Sequence, residues 1–121
     1  MAAAGAAGLA LPASASRPID GFCALGYPGL DKVLRDPDAT YAIGKRYRRL
    51  VPAENNVKTL EEIFRKELPL DLSAPATPEL DTQVSALVRR DFDAGRTIIV
   101  NGWVLSVTEA RQCALYSLLA L

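Results

Sequence analysis

The chain has 121 residues, half of them apolar, and its 14 basic side chains balance its 14 acidic ones, so the formal net charge is zero. This length predicts one domain with one modest core, and the balanced charge excludes long-range attraction to nucleic acid or anionic lipid, which leaves only local patches. Histidine is absent, which excludes imidazole bases and imidazole metal ligands, and two cysteines are too few for a structural zinc site, so we expect no cofactor and no metal.

The first sixteen residues, MAAAGAAGLALPASAS, are uncharged and rich in alanine. Small residues follow Pro12, as a signal peptidase requires, and an apolar run of about 15 residues is too short for an anchor, which needs roughly 20. The stretch predicts an export signal that is cleaved near Ala15 to Arg17, although no basic residue precedes Ala2 as an export leader requires. The alternative is a disordered alanine-rich tail. In either case residues 17–121 are predicted to form a single helical domain.

Proline and glycine interrupt residues 17–30, which predicts irregular structure anchored on the core by Ile19, Phe22 and Leu25. A helix is predicted next, because Asp36-Pro37-Asp38 supplies an N-cap carboxylate, a proline at the first helical position and an acid in the first turn. Apolar residues recur at helical spacing as far as Val51, where the following proline ends the pattern.

Two further helices are predicted between residues 55 and 95. Asn55-Asn56 caps the first, Pro69 ends it, and a linker containing proline and serine follows. Thr77-Pro78-Glu79 starts the second, and Gly95 lies where a left-handed C-cap belongs. The apolar stripe predicted for this second helix consists of Leu80, Val84, Leu87, Val88 and Phe92.

The stretch TIIVNGWVLSVTEARQ, residues 97–112, carries the clearest pattern in the chain. Two apolar runs flank Asn101-Gly102, the dipeptide that best adopts the positive φ angles of a type I′ turn, and so predict a β-hairpin. Ser106 and Glu109 have the spacing of a capping box, which predicts a helix start directly after the hairpin.

The last helix, predicted over residues 107–121, is apolar nearly all round, which predicts burial on more than one side. Since a lone two-stranded hairpin is marginal in water, we expect it to pack on the helices through Trp103 or its neighbours. The predicted fold is therefore mainly α: a small bundle of about four helices with one β-hairpin near residues 97–106.

One basic cluster is present, on the first of the long helices. Its four cations surround Tyr47, whose ring could stack while the cations bind phosphates, and this predicts an anion-binding face made of Lys45, Arg46, Arg48 and Arg49. The alternative is an ordinary solvated helix face. Nearby acids that could neutralise it by ion pairing are Glu54, Glu61, Glu62 and Glu67.

The sequence specifies neither a catalytic base nor a nucleophile. Glu61 and Glu62 are adjacent on a helix and point about 100° apart, so they do not converge on one substrate. Asp91 and Asp93 lie near an apolar stripe without a partner of matching spacing, and we expect a non-enzymatic protein. The two cysteines, Cys23 and Cys113, are candidates either for one disulfide closing a loop of about 90 residues or for two separate thiols.

About the last thirty residues, together with the leader-like start, resemble a known group of proteins. The matching residues are Asp91-Phe92, Gly95-Arg96, Val100, Gly102-Trp103, Leu105-Ser106, Thr108-Glu109-Ala110-Arg111 and Cys113-Ala114-Leu115. This pattern resembles the C-terminal signature of small exported bacterial proteins that carry twin-arginine leaders, and it departs from that signature at Asn101, where aspartate is expected. No arginine pair lies near the start of the chain either.

The resemblance implies export, carries over no catalytic or binding residue, and indicates four positions to test as partner contacts: Arg96, Trp103, Glu109 and Arg111. Trp103 has a second interpretation, as the core anchor of the hairpin. We therefore expect an accessory or interaction subunit of an exported complex, periplasmic or membrane-associated, with a larger protein partner. The alternative function is an anion-binding module for nucleic acid or acidic lipid, which uses the basic helix and would also fit a cytoplasmic protein.

Overall fold

A computed structural model describes residues 20–26 and 36–120. The predicted export signal, the anchor Ile19 and the end of the last helix at Leu121 lie outside the described residues. Helices and strands follow one another as α1 (Gly21–Ala24), α2 (Pro37–Leu50), a 3₁₀ turn (Pro52–Glu54), α3 (Val57–Glu67), α4 (Pro78–Asp93), β1 (Thr97–Val100), β2 (Trp103–Ser106) and α5 (Val107–Leu119). The prediction of a mainly helical fold with one late hairpin is confirmed.

Local signals set the ends of these elements. The Asp36 carboxylate accepts the amide N–H of Asp38 at 2.9 Å, and the Asn56 side chain accepts that of Thr59 at 2.8 Å. Both are the N-cap bonds that the sequence predicts. None of the helices in the described part of the chain is long and apolar enough to cross a membrane.

The hairpin has the predicted turn. Asn101 and Gly102 have φ angles of 51° and 84°, and β1 pairs antiparallel with β2 so that Val100 faces Trp103. Gly95 has a left-handed φ of 73° directly after the C-cap residue of α4, as the sequence predicts for the end of this helix. Glycine adopts positive φ at little cost in conformational energy, and asparagine tolerates it. The turn angles can therefore be predicted from these few residues alone.

Helix α5 lies at the centre of the fold and packs against α2, α3, α4 and both strands. A Cβ built on Gly44 of α2 would lie only 2.0 Å from the carbonyl oxygen of Cys113 in α5, so only glycine permits this approach. One turn further on, Arg48 donates to the Ser117 hydroxyl at 3.0 Å. Because both residue numbers rise together, α2 and α5 run in the same direction.

The short helix α1 is held by the linker before α4. Gly21 donates its N–H to the Ala74 carbonyl at 2.8 Å, and Phe22 donates to Leu72 at 3.0 Å. Leu25 is fully buried and Phe22 is half-buried against the core, so two of the three predicted anchors contact it.

The prediction that Phe92 belongs to the buried apolar stripe of α4 is wrong. Phe92 is 45% exposed, whereas the neighbouring Asp91 is fully buried. The helical spacing that runs through Leu80, Val84 and Leu87 continues to residue 91, and a carboxylate occupies that inward position because it has four hydrogen bonds to accept there.

Candidate functional site

The buried Asp91 carboxylate joins α4 to α5. It accepts the amide N–H of Thr108 at 2.9 Å and the Thr108 hydroxyl at 2.6 Å, and on its other oxygen it accepts two N–H groups of Arg96. Burial alone would raise the pKa of Asp91, but the bonds from Thr108 and Arg96 outweigh burial and hold this pKa below its ordinary value. Asp91 therefore acts as a fixed anion at the start of α5, where the helix dipole also favours it.

Arg111 forms a second internal cluster. Its guanidinium donates to both oxygens of Glu54, at 2.9 and 3.2 Å, and to Glu67 at 3.4 Å. Burial opposes the charge on Arg111, but pairing with Glu54 outweighs it and raises the pKa of the guanidinium further. Tyr47 donates its hydroxyl to the same Glu54 at 2.9 Å, and burial followed by this bond raises the pKa of Tyr47 to about 12.

Three of the four candidate partner contacts thus have partners within the chain. Arg96 binds Asp91, and Arg111 binds the acids of the 3₁₀ turn and α3. Glu109 completes the predicted capping box, because its carboxylate accepts the Ser106 N–H at 2.9 Å while the Ser106 hydroxyl accepts the Glu109 N–H at 3.0 Å. These bonds explain why these residue types stand at these positions.

The fourth candidate, Trp103, lies at the tip of the hairpin and is 42% exposed. Val100 and Leu105 are the hairpin residues that anchor in the core, each almost completely buried. On the opposite face Ile99 and Val104 are directly paired, with exposures of 68% and 60%. Trp103 pairs with Val100 and so lies on the core-side face of the hairpin, exposed only because it is at the tip. We call the outer-face pair, Ile99 and Val104, the hairpin patch.

The four cations of the basic cluster on α2 do not share one environment: one faces inward and three are exposed to solvent. Arg48 turns inward, donating to Ser117 at 3.0 Å and to Asn55 at 3.1 Å, and the Tyr47 ring is buried, so it does not stack on an external ligand. The other three cations are exposed and form no ion pair with the described part of the chain; we call Lys45, Arg46 and Arg49 the basic ridge.

Three of the four acids expected to neutralise this ridge pair elsewhere, and the fourth, Glu62, is exposed and forms no ion pair with a described residue. Glu54 and Glu67 bind Arg111, and Glu61 binds Arg65 one turn away on α3. The ridge therefore keeps its local positive charge even though the whole chain is neutral.

Both cysteines are free thiols in the structure, so the disulfide alternative is not formed. Cys113 is buried in α5 beside the α2 crossing, and burial, with the Glu109 charge in addition, raises its pKa to about 12. Burial and the neighbouring Asp20 also raise the pKa of Cys23. Both shifts disfavour the thiolate, the form that attacks electrophiles or binds metals.

Two grooves formed by the described residues indicate neither a reaction nor a particular ligand. One of about 190 Å³, between the linker and the start of α4, is lined mostly by apolar atoms. Another, of about 340 Å³, includes Glu67, Arg90 and Arg96, and Arg96 is already paired. Residues 20–26 and 36–120 contain no cluster of three side chains able to hold a metal ion.

The sequence did not predict Glu54 as the partner of Arg111, or Thr108 as a partner of Asp91. One signal was available for Asp91: it continues the buried spacing of α4, at the position where an apolar residue is expected. Glu54 has no such signal, because its partner Arg111 is 57 residues away in sequence.

Comparison of the chain with protein-family models, with curated proteins and with solved structures finds no match. The resemblance to exported proteins with twin-arginine leaders therefore stays a prediction from the sequence.

Proposed function

We propose that the protein is a non-enzymatic accessory subunit that binds a larger protein partner in an exported complex, periplasmic or membrane-associated, and that the hairpin patch is its docking surface. The observation that carries this proposal is the exposure of the directly paired apolar side chains Ile99 and Val104 on the outer face of the hairpin. The fully buried core of a protein interface is more apolar than the rest of the protein surface.

The paired side chains of the outer face support the proposal. Ile99 and Val104 lie directly opposite each other and are 68% and 60% exposed, whereas Trp103, 42% exposed at the turn, lies on the other face. The largest exposed apolar patch of a monomeric protein often binds a partner.

The patch is also held in place from behind. Val100 and Leu105 are buried beneath the hairpin, and the capping box fixes β2 to the start of α5. A rigid apolar surface loses little conformational entropy on binding, which favours affinity.

A pull-down tests this function. A C-terminally tagged chain, expressed in the organism that encodes it, is expected to retain one partner at equal stoichiometry, and mass spectrometry of its mature N-terminus is expected to show cleavage near Ala15. The double variant Ile99→Ser with Val104→Ser is expected to lose that partner. Leu50→Ser, a similar change at a 45% exposed leucine on α2, is the matched control and is expected to retain it.

A second function, anion binding, is favoured by a different observation: the basic ridge of Lys45, Arg46 and Arg49 is exposed, and the nearby acids Glu54 and Glu67 are occupied by Arg111. Binding to a single-stranded oligonucleotide or to vesicles with acidic lipid would then weaken steeply with salt. Replacing the three ridge cations by alanine is expected to abolish this binding, whereas replacing the exposed Arg89 and Arg90 of α4 is not. Binding that is insensitive to salt would rule this function out.

A further inference from the structure

The outer edge of β1 has backbone groups that no described residue bonds. The Val107 N–H donates to the Arg96 carbonyl at 3.1 Å, and Val100 faces Trp103 at the turn. Bonded and non-bonded pairs alternate in an antiparallel ladder, so the bonded pairs of the hairpin are 96 with 107, 98 with 105, and 100 with 103. The N–H and C=O groups of Thr97 and Ile99 therefore point away from β2, and no residue in the described part of the chain bonds to them.

Apart from its short length, this edge lacks the features that usually block edge-to-edge pairing. Residues 97–100 are Thr-Ile-Ile-Val, all strong strand formers, with no charge, no proline and no bulge, and Thr97 and Ile99 are both exposed. The β2 edge differs, because the outward N–H of Ser106 is already accepted by Glu109 at 2.9 Å. Among the described residues, β1 therefore has the longer run of outward backbone groups without a partner, since β2 offers only those of Val104.

We propose that the β1 edge pairs with the β1 edge of a second copy of this chain. Two strands related by a two-fold axis perpendicular to them are antiparallel, so the same edge is its own complement. With Ile98 on the axis, Thr97 of one copy lies opposite Ile99 of the other, and the outward groups form four hydrogen bonds between the copies. No other symmetric register pairs all the outward groups of both strands.

Charge is compatible with this pairing. In this register Arg96 lies opposite Val100 of the second copy, so the two Arg96 side chains do not face each other. The chain carries no net charge, so long-range repulsion does not oppose association. The result is a four-stranded sheet in the order β2, β1, β1, β2, which brings two hairpin patches onto one surface and doubles the apolar area offered to a partner.

The pairing is expected to be weak, because four backbone hydrogen bonds and the Ile99–Thr97 contacts bury much less than the roughly 1,600 Å² of a standard interface. The first test is therefore sedimentation of the full chain over a wide range of concentration. The mass is expected to rise from that of the 13.0 kDa monomer towards twice that value.

Two proline variants make the test specific. Ile99→Pro removes an outward N–H from the β1 edge, whereas Val104→Pro removes one from the β2 edge of the same hairpin, and neither N–H is used inside the hairpin. Ile99→Pro is expected to abolish the dimer and Val104→Pro to retain it, with the helical circular dichroism of both unchanged.

A cross-link supplies a gain of signal instead of a loss. Ile98 faces Ile98 of the second copy as a non-bonded pair, with Cα atoms about 4.5 Å apart, which suits a disulfide. Ile98→Cys is expected to give a covalent dimer on mild oxidation, while the unmodified chain and Val104→Cys do not.

Three results would overturn the proposal: a monomer at every concentration, a dimer that persists in Ile99→Pro, or protection of the Thr97 and Ile99 amides from exchange at a level independent of concentration. The last result would mean that the edge is covered within one chain. An extended peptide of another protein on the β1 edge of a monomer would also contradict pairing between copies. The partner capture that tests the accessory function is a separate measurement and can succeed or fail independently.

Discussion

Replacement of Asp91 by alanine is expected to destabilise the protein more than any change to its charged surface. The carboxylate is fully buried and accepts the Thr108 amide at 2.9 Å, the Thr108 hydroxyl at 2.6 Å and two N–H groups of Arg96. Alanine would leave the buried amide and hydroxyl of Thr108 unpaired, and it would also remove the link between α4 and the start of α5.

The magnitude follows from those contacts. A hydrogen bond to a charged group contributes about 1.5–3 kcal/mol, and a buried donor left without an acceptor costs about 1–3 kcal/mol. These costs overlap, so we expect a total loss of about 3–5 kcal/mol in the free energy of unfolding, the range found when one member of a buried pair is removed. For a small domain this lowers Tm by at least about 12 °C.

Urea and thermal denaturation at pH 7, followed by circular dichroism, measure this loss. Asp93→Ala is the matched control, since Asp93 is an exposed acid two residues away on the same helix. If Asp91→Ala changed stability by less than about 1 kcal/mol, or no more than the Asp93 control, the assignment of Asp91 as the link between α4 and α5 would be wrong.

The same site predicts a pH dependence. The pKa of Asp91 is lower in the folded chain than its ordinary value of 3.8, so the carboxylate contributes stability at pH values above that value. This contribution is lost as the pH falls through the lower, folded pKa. Asp91→Asn should therefore be less stable than the unmodified chain at pH 7, and the difference should shrink in acid; a difference that stays constant down to pH 2 would contradict the argument.

Three further changes test the packing and the second cluster. Gly44→Ala places a Cβ about 2.0 Å from the Cys113 carbonyl oxygen, so α2 and α5 must separate, and urea denaturation should show a loss of at least about 1–3 kcal/mol. Arg111→Met leaves Glu54 without its cation, and the same assay should show a loss of about 3 kcal/mol, near the lower limit for a buried pair because this one is partly exposed. Tyr47 has a pKa of about 12 when folded against 10 in the unfolded chain, so its contribution is present below pH 10 and is lost as the pH rises through 12; Tyr47→Phe should make alkaline unfolding less dependent on pH.

The elements of this fold are predictable where the signals are local. Asp36 and Asn56 cap helices through bonds to residues two or three positions away, and Asn101-Gly102 sets its own turn angles. Each of these structures depends on a few neighbouring residues, so a short stretch of sequence is sufficient to predict it.

The contacts between elements are not predictable in this way. Glu54 meets Arg111 only because the 3₁₀ turn and α5 pack together, and Gly44 is required only because α5 approaches it closely. The misplaced Phe92 has the same origin: hydrophobicity favoured residue 92 for the stripe, whereas helical spacing and the bonds to Thr108 favoured a buried Asp91. The function of Arg96 and Arg111 within the chain likewise follows from three-dimensional pairing.

The measurement that tests the central claim most directly is partner capture by the unmodified chain compared with two variants, Ile99→Ser with Val104→Ser and Leu50→Ser. Circular dichroism first checks that all three chains have the same helical content. The account predicts one stoichiometric partner that is retained by the unmodified chain and by Leu50→Ser and is lost from the hairpin variant. Equal retention by the hairpin variant, or a chain that captures no partner at all, would contradict the assignment of the hairpin patch as a docking surface.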